Sequence, residues 1–166
     1  FHGRTMGCLS TTRSKPIHKL DIPSFEWPVA PFPHLVHPLD DPTNMRLNER
    51  EEQRCLEETL EVIKKHGNIA GMIIEPIQAE GGDNHASHDY FRRLRDMAAE
   101  NDIIFMVDEV QTGGGITGKM WAHEHWELPS PPDFVTFSKK AQIGGYFYPE
   151  AMQPSMPYRI FNTWMG

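Results

Sequence analysis

Ile103-Ile104-Phe105-Met106-Val107-Asp108-Glu109-Val110-Gln111-Thr112-Gly113 is the stretch that decides the fold. Its five apolar residues form a run too short for a helix and without polar alternation, which reads as a strand buried on both faces. The run stops at two acids. Upstream, Tyr90, Phe91, Leu94, Met97 and Ala98 share one helical stripe, which predicts a helix from about Asp89 to Asn101. Before that helix, Ile69-Ala70-Gly71-Met72-Ile73-Ile74 is a second apolar run, ending at Glu75-Pro76. It too reads as a strand buried on both faces. Strand, helix and strand within about forty residues make a βαβ unit, so the sheet is parallel. Phe134-Val135-Thr136-Phe137 is a third strand, ending at Ser138-Lys139-Lys140. The fold class is therefore α/β, a mostly parallel sheet with flanking helices.

Further upstream, Leu56, Leu60 and Ile63 recur at helical spacing, with Glu49–Glu52 at the start and Lys64, Lys65 and His66 at the end. That charge order suits the helix dipole, and Gly67 is a C-terminal stop, so a helix is expected over 49–66. Pro16, Pro23, Pro28, Pro31, Pro33, Pro38 and Pro42 forbid a continuous helix or central strand before it. Phe25, Trp27, Phe32 and Leu35 in the same stretch predict an ordered, irregular segment packed against the domain or another subunit. Phe1 to Ser14 reads as a loop with a short helical turn.

The 166 residues carry Lys+Arg 16 against Asp+Glu 23, a net charge of −7, and 39% are apolar. An acidic chain without a basic run is a poor partner for nucleic acid or anionic membranes. No apolar run approaches membrane-spanning length. Cys8 and Cys55 form no CxxC pair and read as free thiols. The chain opens without Met, and segments are expected on both sides of it.

All three strands end in polar or charged residues, and in open α/β sheets ligands bind beyond the carboxyl ends of the strands. Glu75, Asp108 and Lys139 are thus expected at one crevice. A Lys after a buried strand is a candidate Schiff-base amine, and an Asp at the next strand end is a candidate partner for a protonated ring nitrogen. Pyridoxal phosphate chemistry needs that pair. Spacing alone favours the plainer reading, an Asp and a Lys that are merely solvated or salt-bridged.

Four strings occur in order: Phe1-His2-Gly3-Arg4-Thr5-Met6-Gly7, Glu75-Pro76-Ile77-Gln78-Ala79-Glu80-Gly81-Gly82-Asp83, Val107-Asp108-Glu109-Val110-Gln111-Thr112-Gly113 and Thr136-Phe137-Ser138-Lys139. Together with Trp121-Ala122-His123-Glu124-His125-Trp126 and Ile160-Phe161-Asn162-Thr163-Trp164, this resembles the class III (omega) pyridoxal-phosphate-dependent aminotransferases. The resemblance spans essentially the whole chain and favours the branch that acts on 4-aminobutyrate. It implies a fold-type I large domain, of which residues 1–166 are a part lacking the upstream phosphate loop and the C-terminal small domain. It also implies transfer of the amino group of 4-aminobutyrate to 2-oxoglutarate, a homodimer, and the mitochondrial matrix. Residue by residue, Lys139 carries the cofactor as a Schiff base and shuttles the proton. Asp108 pairs with the pyridinium nitrogen, Gln111 bonds on the side of the ring hydroxyl, and Phe1 and Val110 cover the two ring faces. Arg4 takes the substrate carboxylate remote from the amine. Glu80 is the switch acid, pairing with an arginine outside this chain. Thr163 reaches the cofactor phosphate of the neighbouring subunit. His2 is assigned no step. Lys140 competes with Lys139, and strand phase favours Lys139.

Other readings are weaker. Gly113-Gly114-Gly115-Ile116-Thr117-Gly118-Lys119-Met120 nearly spells a P-loop, but Met120 stands where a magnesium-binding hydroxyl is needed, so a structural loop beside the cofactor is expected. His85, His88, His123 and His125 have no third ligand at metal spacing, so no metal site is expected. The resemblance implies no iron–sulfur cluster either, because Cys8 and Cys55 do not match the cysteine positions it associates with one. The Trp121–Trp126 segment reads as packing. The remaining alternatives are another omega-aminotransferase (acting on ornithine, acetylornithine, β-alanine or 3-aminoisobutyrate) and a truncated, catalytically incompetent piece that folds only against partners.

Overall fold

The computed structural model describes residues 1–156. Among these described residues four strands form one sheet: β1 (Gly71–Ile74), β2 (Ile104–Asp108), β3 (Phe134–Phe137) and β4 (Gly145–Phe147), in that spatial order. β1 pairs parallel to β2, and β2 parallel to β3, with Asp108 level with Thr136. β4 returns antiparallel to β3. That last pairing is absent from the sequence reading, because a three-residue strand opening on Gly145 gives no alternation to detect. β1 corrects a second expectation. Its residues are half-buried rather than enclosed on both faces, since among the described residues β1 is an edge strand.

Among the described residues the α-helices are α1 (Met6–Thr11), α2 (Pro42–His66) and α3 (His88–Glu100), with α3 packed on β2. α2 starts seven residues before the expected Glu49. Pro42 is its first residue, where the missing N–H costs nothing, and the Asp41 side chain accepts from Thr43 N at 2.8 Å and Asn44 N at 3.2 Å. The helix ends at Gly67, which adopts φ 68° and donates to Ile63 O at 2.9 Å. Ser87 caps α3, accepting from Tyr90 N at 3.1 Å. Glu52 of α2 takes both the Ser87 N–H (2.6 Å) and its hydroxyl (2.7 Å), so one helix holds the cap of the next.

The core lies between α2, α3 and β2. Tyr90, Phe91, Leu94 and Ala98 meet Phe105, Val107, Cys55, Leu56 and Ile63, all buried. Trp126 stacks on Phe91 at 4.1 Å between centroids, which makes the Trp121–Trp126 segment core packing, as read from its aromatic content. The proline-rich segment is tied down in its second half, while Phe25 and Trp27 of its first half stay exposed. Phe32 packs edge-on against Tyr90 at 6.0 Å, and Asn48 bonds both the N–H and the C=O of Val36.

Candidate active site

The carboxyl ends of β1 and β2 meet the start of the chain. Asp108 ends β2 and is buried. One oxygen accepts from Val110 N at 3.1 Å and from the Thr136 hydroxyl at 3.0 Å, and the other faces His2 Nδ1 at 2.7 Å. Burial by itself would raise the pKa of this carboxyl. The hydrogen bond and charge of His2, with the Val110 N–H and the Thr136 hydroxyl, outweigh it, and the pKa lies below the usual carboxylate value. A buried, ionised carboxylate at a strand end is the group that a protonated ring nitrogen needs.

His2 is held in turn from α1. Its N–H donates to the buried Thr12 hydroxyl at 2.9 Å, and that hydroxyl donates to Gly3 O at 3.0 Å. Gly3 has φ 113°, and a Cβ there would stand 3.1 Å from Cys8 Cβ, so the turn that aims His2 requires glycine. The sequence assigns a role to neither His2 nor Thr136. The β2–β3 register that sets Thr136 level with Asp108 emerges only in the structure. Nothing in the sequence brings residue 2 to residue 108.

Phe1 sits beside them. Its ring meets His18 edge-on at 4.9 Å, and Glu75, at the end of β1, is buried. Val110 and Gln111 follow Asp108, both half-buried. Lys139 follows β3, exposed, in a short turn at φ 42° that is closed by Gln142 N on its carbonyl at 2.8 Å. Lys140 is exposed as well, but its side chain lies against Gly114 of the glycine-rich loop. Lys139 adds a small charge effect at Glu80. Glu80 is exposed, 3.2 Å from Lys15 Nζ. The Lys15 hydrogen bond and charge, aided by His18 and Lys139, hold its carboxyl below the usual range. Arg4 is exposed in the turn before α1. Thr163 lies outside the described residues.

A cleft of about 840 Å³ runs beside β1 and is lined by Phe1, His2, Glu75, Gln78, Phe32 and Ile63. It borders the site through Phe1 and His2 without reaching Asp108 or Lys139. Chemistry, not cavity size, locates the site.

The model of the family described as Aminotransferase class-III matches residues 1–166. The chain belongs to the class-III aminotransferases. It is 62% identical to the mitochondrial 4-aminobutyrate aminotransferase of Mus musculus and 61% identical to the 4-aminobutyrate aminotransferase of Emericella nidulans, over its full length in both cases. It spans about a third of those relatives (34% and 33% of their lengths). Among solved structures it is similar to a lysine aminotransferase from M. tuberculosis in the internal aldimine form, with 36% identity and a TM-score of 0.78 over 89% of this chain and 33% of that one. The α/β architecture is thus the fold-type I architecture of class-III aminotransferases. In that setting the glycine-rich loop of this chain is a tight connection. A Cβ on Gly113 would lie 2.7 Å from the Trp121 ring, and the Gly114 and Gly115 N–H groups both close on Met120 O.

Proposed function

We propose that the full-length protein transfers the amino group of 4-aminobutyrate to 2-oxoglutarate, giving succinate semialdehyde and glutamate, with pyridoxal phosphate as cofactor. The observation that carries this reading is Asp108, a buried carboxylate kept ionised at the end of β2. The choice of 4-aminobutyrate is supported by the relatives above. Asp108 would hold the ring nitrogen, Gln111 the side of the ring hydroxyl, and Phe1 and Val110 the ring faces. Lys139 would hold the cofactor through its amine, and Thr163 would reach the phosphate from the neighbouring subunit of a homodimer. When bound, the cofactor supplies an electron sink that lets the amino-bearing carbon lose a proton.

The chain's own groups do the rest. The Lys139 Nζ takes a proton from the substrate carbon and returns it. Asp108 keeps its charge, because His2, Thr136 and Val110 N–H stay on it. Arg4 binds the remote carboxylate, for which a planar guanidinium fork suits a bidentate pair. Glu80 pairs with an arginine outside this chain when 4-aminobutyrate is bound and frees it for the α-carboxylate of glutamate. Residues 1–166 form the central part of the large domain. The names of the animal relatives support residence in the mitochondrial matrix.

The test is chemical trapping. The full-length protein, Lys139→Ala and Lys140→Ala are loaded with pyridoxal phosphate, reduced with borohydride, and the modified lysine is mapped by mass spectrometry. Label at Lys139, lost only in Lys139→Ala, is expected. Single-turnover rates with 4-aminobutyrate are expected to exceed those with ornithine and β-alanine. A folded protein that takes no label refutes the reading.

A further inference from the structure

Glu109 is the most buried charged side chain next to the site, 1% exposed, and the mechanism above leaves it unused. It stands between Asp108 and Val110, and strand alternation turns it away from the face that Asp108 serves. One carboxylate oxygen accepts from His123 N–H at 2.9 Å and faces His123 Nδ1 at 2.9 Å. The other accepts from the Thr112 hydroxyl. Its backbone is committed as well. The Glu109 N–H donates to Thr136 O at 2.9 Å, three residues before Lys139, and its carbonyl accepts from Gly113 N at 2.8 Å.

We propose that Glu109 is the positioning residue for the cofactor-facing loop, locking Val110–Gly113 onto the Ala122–His123 turn so that Asp108, Val110 and Gln111 keep one orientation. This rests on the aminotransferase reading. The far side of the lock is rigid. His123 packs on Trp126 at 6.2 Å, and Trp126 stacks on Phe91 in the core. Trp121, at the head of the same turn, packs on Phe137 at 6.0 Å, two residues before Lys139. One buried carboxylate therefore joins the loop that follows Asp108 to the core, and its backbone joins it to β3, the strand that leads to Lys139. Burial disfavours the charge, yet the His123 and Thr112 hydrogen bonds outweigh it and the carboxyl lies below its usual range. A group that orients others has large leverage, since a displacement of about 1 Å at a reacting centre costs about 100-fold in rate.

The test uses the full-length protein with pyridoxal phosphate added back to apoenzyme. Wild type, Glu109→Ala, Glu109→Gln and Thr112→Val are compared. Cofactor affinity is read by absorbance titration, single-turnover rate is taken per bound cofactor, and the thermal midpoint is recorded separately. Glu109→Ala is expected to weaken cofactor binding about 10-fold or more and to slow turnover of 4-aminobutyrate and glutamate by one common factor, because the loop faces the cofactor and not the substrate. Glu109→Gln should recover most of both, since its amide oxygen still accepts from His123, and Thr112→Val should fall between. Wild-type affinity and wild-type rate per bound cofactor in Glu109→Ala overturn the proposal, however far the thermal midpoint falls. If Glu109→Ala does not fold, the same wild-type values in both Glu109→Gln and Thr112→Val overturn it. Failure of the aminotransferase reading is a separate event, visible as absence of turnover in wild type.

Discussion

The site depends on a charge kept where burial opposes it. Asp108 stays ionised because three donors face it, and the decisive one comes from His2. Its folded pKa lies below the unfolded value, as does that of Glu109. Such a group stabilises the fold fully above the unfolded carboxyl value and loses that stabilisation as pH falls through the folded one. The urea midpoint of the full-length protein should therefore hold at neutral pH and fall once pH drops below about 4. His2→Leu removes a donor from a buried carboxylate and should cost about 1–3 kcal/mol at pH 7. Protonated Asp108 no longer needs that donor, so wild type and His2→Leu should converge in acid. A stability gap that stays constant from pH 7 to pH 3 would show that His2 acts through packing. Sequence reasoning selects Asp108 from its strand end, but His2 lies 106 positions away and only the fold brings the two together.

Helix ends explain both what was legible and what was missed. The C-terminus of α2 was legible because Gly67 follows a basic last turn. Its N-terminus was missed because Pro42 closes a run of prolines and reads as a breaker, whereas with Asp41 before it the same residue opens a helix. β2 and α3 were legible from period alone. The half-burial of β1 was not, because an apolar run carries no record of whether a strand will cover its outer edge. The α2–α3 junction tests the account. Asp41→Ala removes an exposed cap and should cost about 1 kcal/mol. Glu52→Ala strips the buried partner from both groups of Ser87. It should therefore cost more, about 1–3 kcal/mol, because two half-buried donors of Ser87 lose their acceptor at once. Denaturant midpoints decide the order. Equal losses would place the Glu52–Ser87 pair at no greater value than a surface cap.

At the scale of the whole molecule, the described residues leave much apolar surface uncovered. Phe25 is 52% exposed and Trp27 45%, stacked on each other away from the core, and Tyr146 and Phe147 of β4 are 58% and 54% exposed. Among the described residues β1 and β4 are each paired on one side only, and the cleft of about 840 Å³ runs along the open side of β1. Unpaired edges beside apolar patches are templates for association. The chain also spans about a third of its curated relatives, so in a protein of their length these surfaces have covering partners within reach. Produced by itself, the 166-residue chain should bind a hydrophobic dye such as ANS and should grow in mass with concentration when light scattering follows size-exclusion chromatography. The full-length protein should hold one mass over the same range and bind less dye. A monodisperse, dye-silent chain would mean that these faces are satisfied internally, and that residues 1–166 fold as an independent unit.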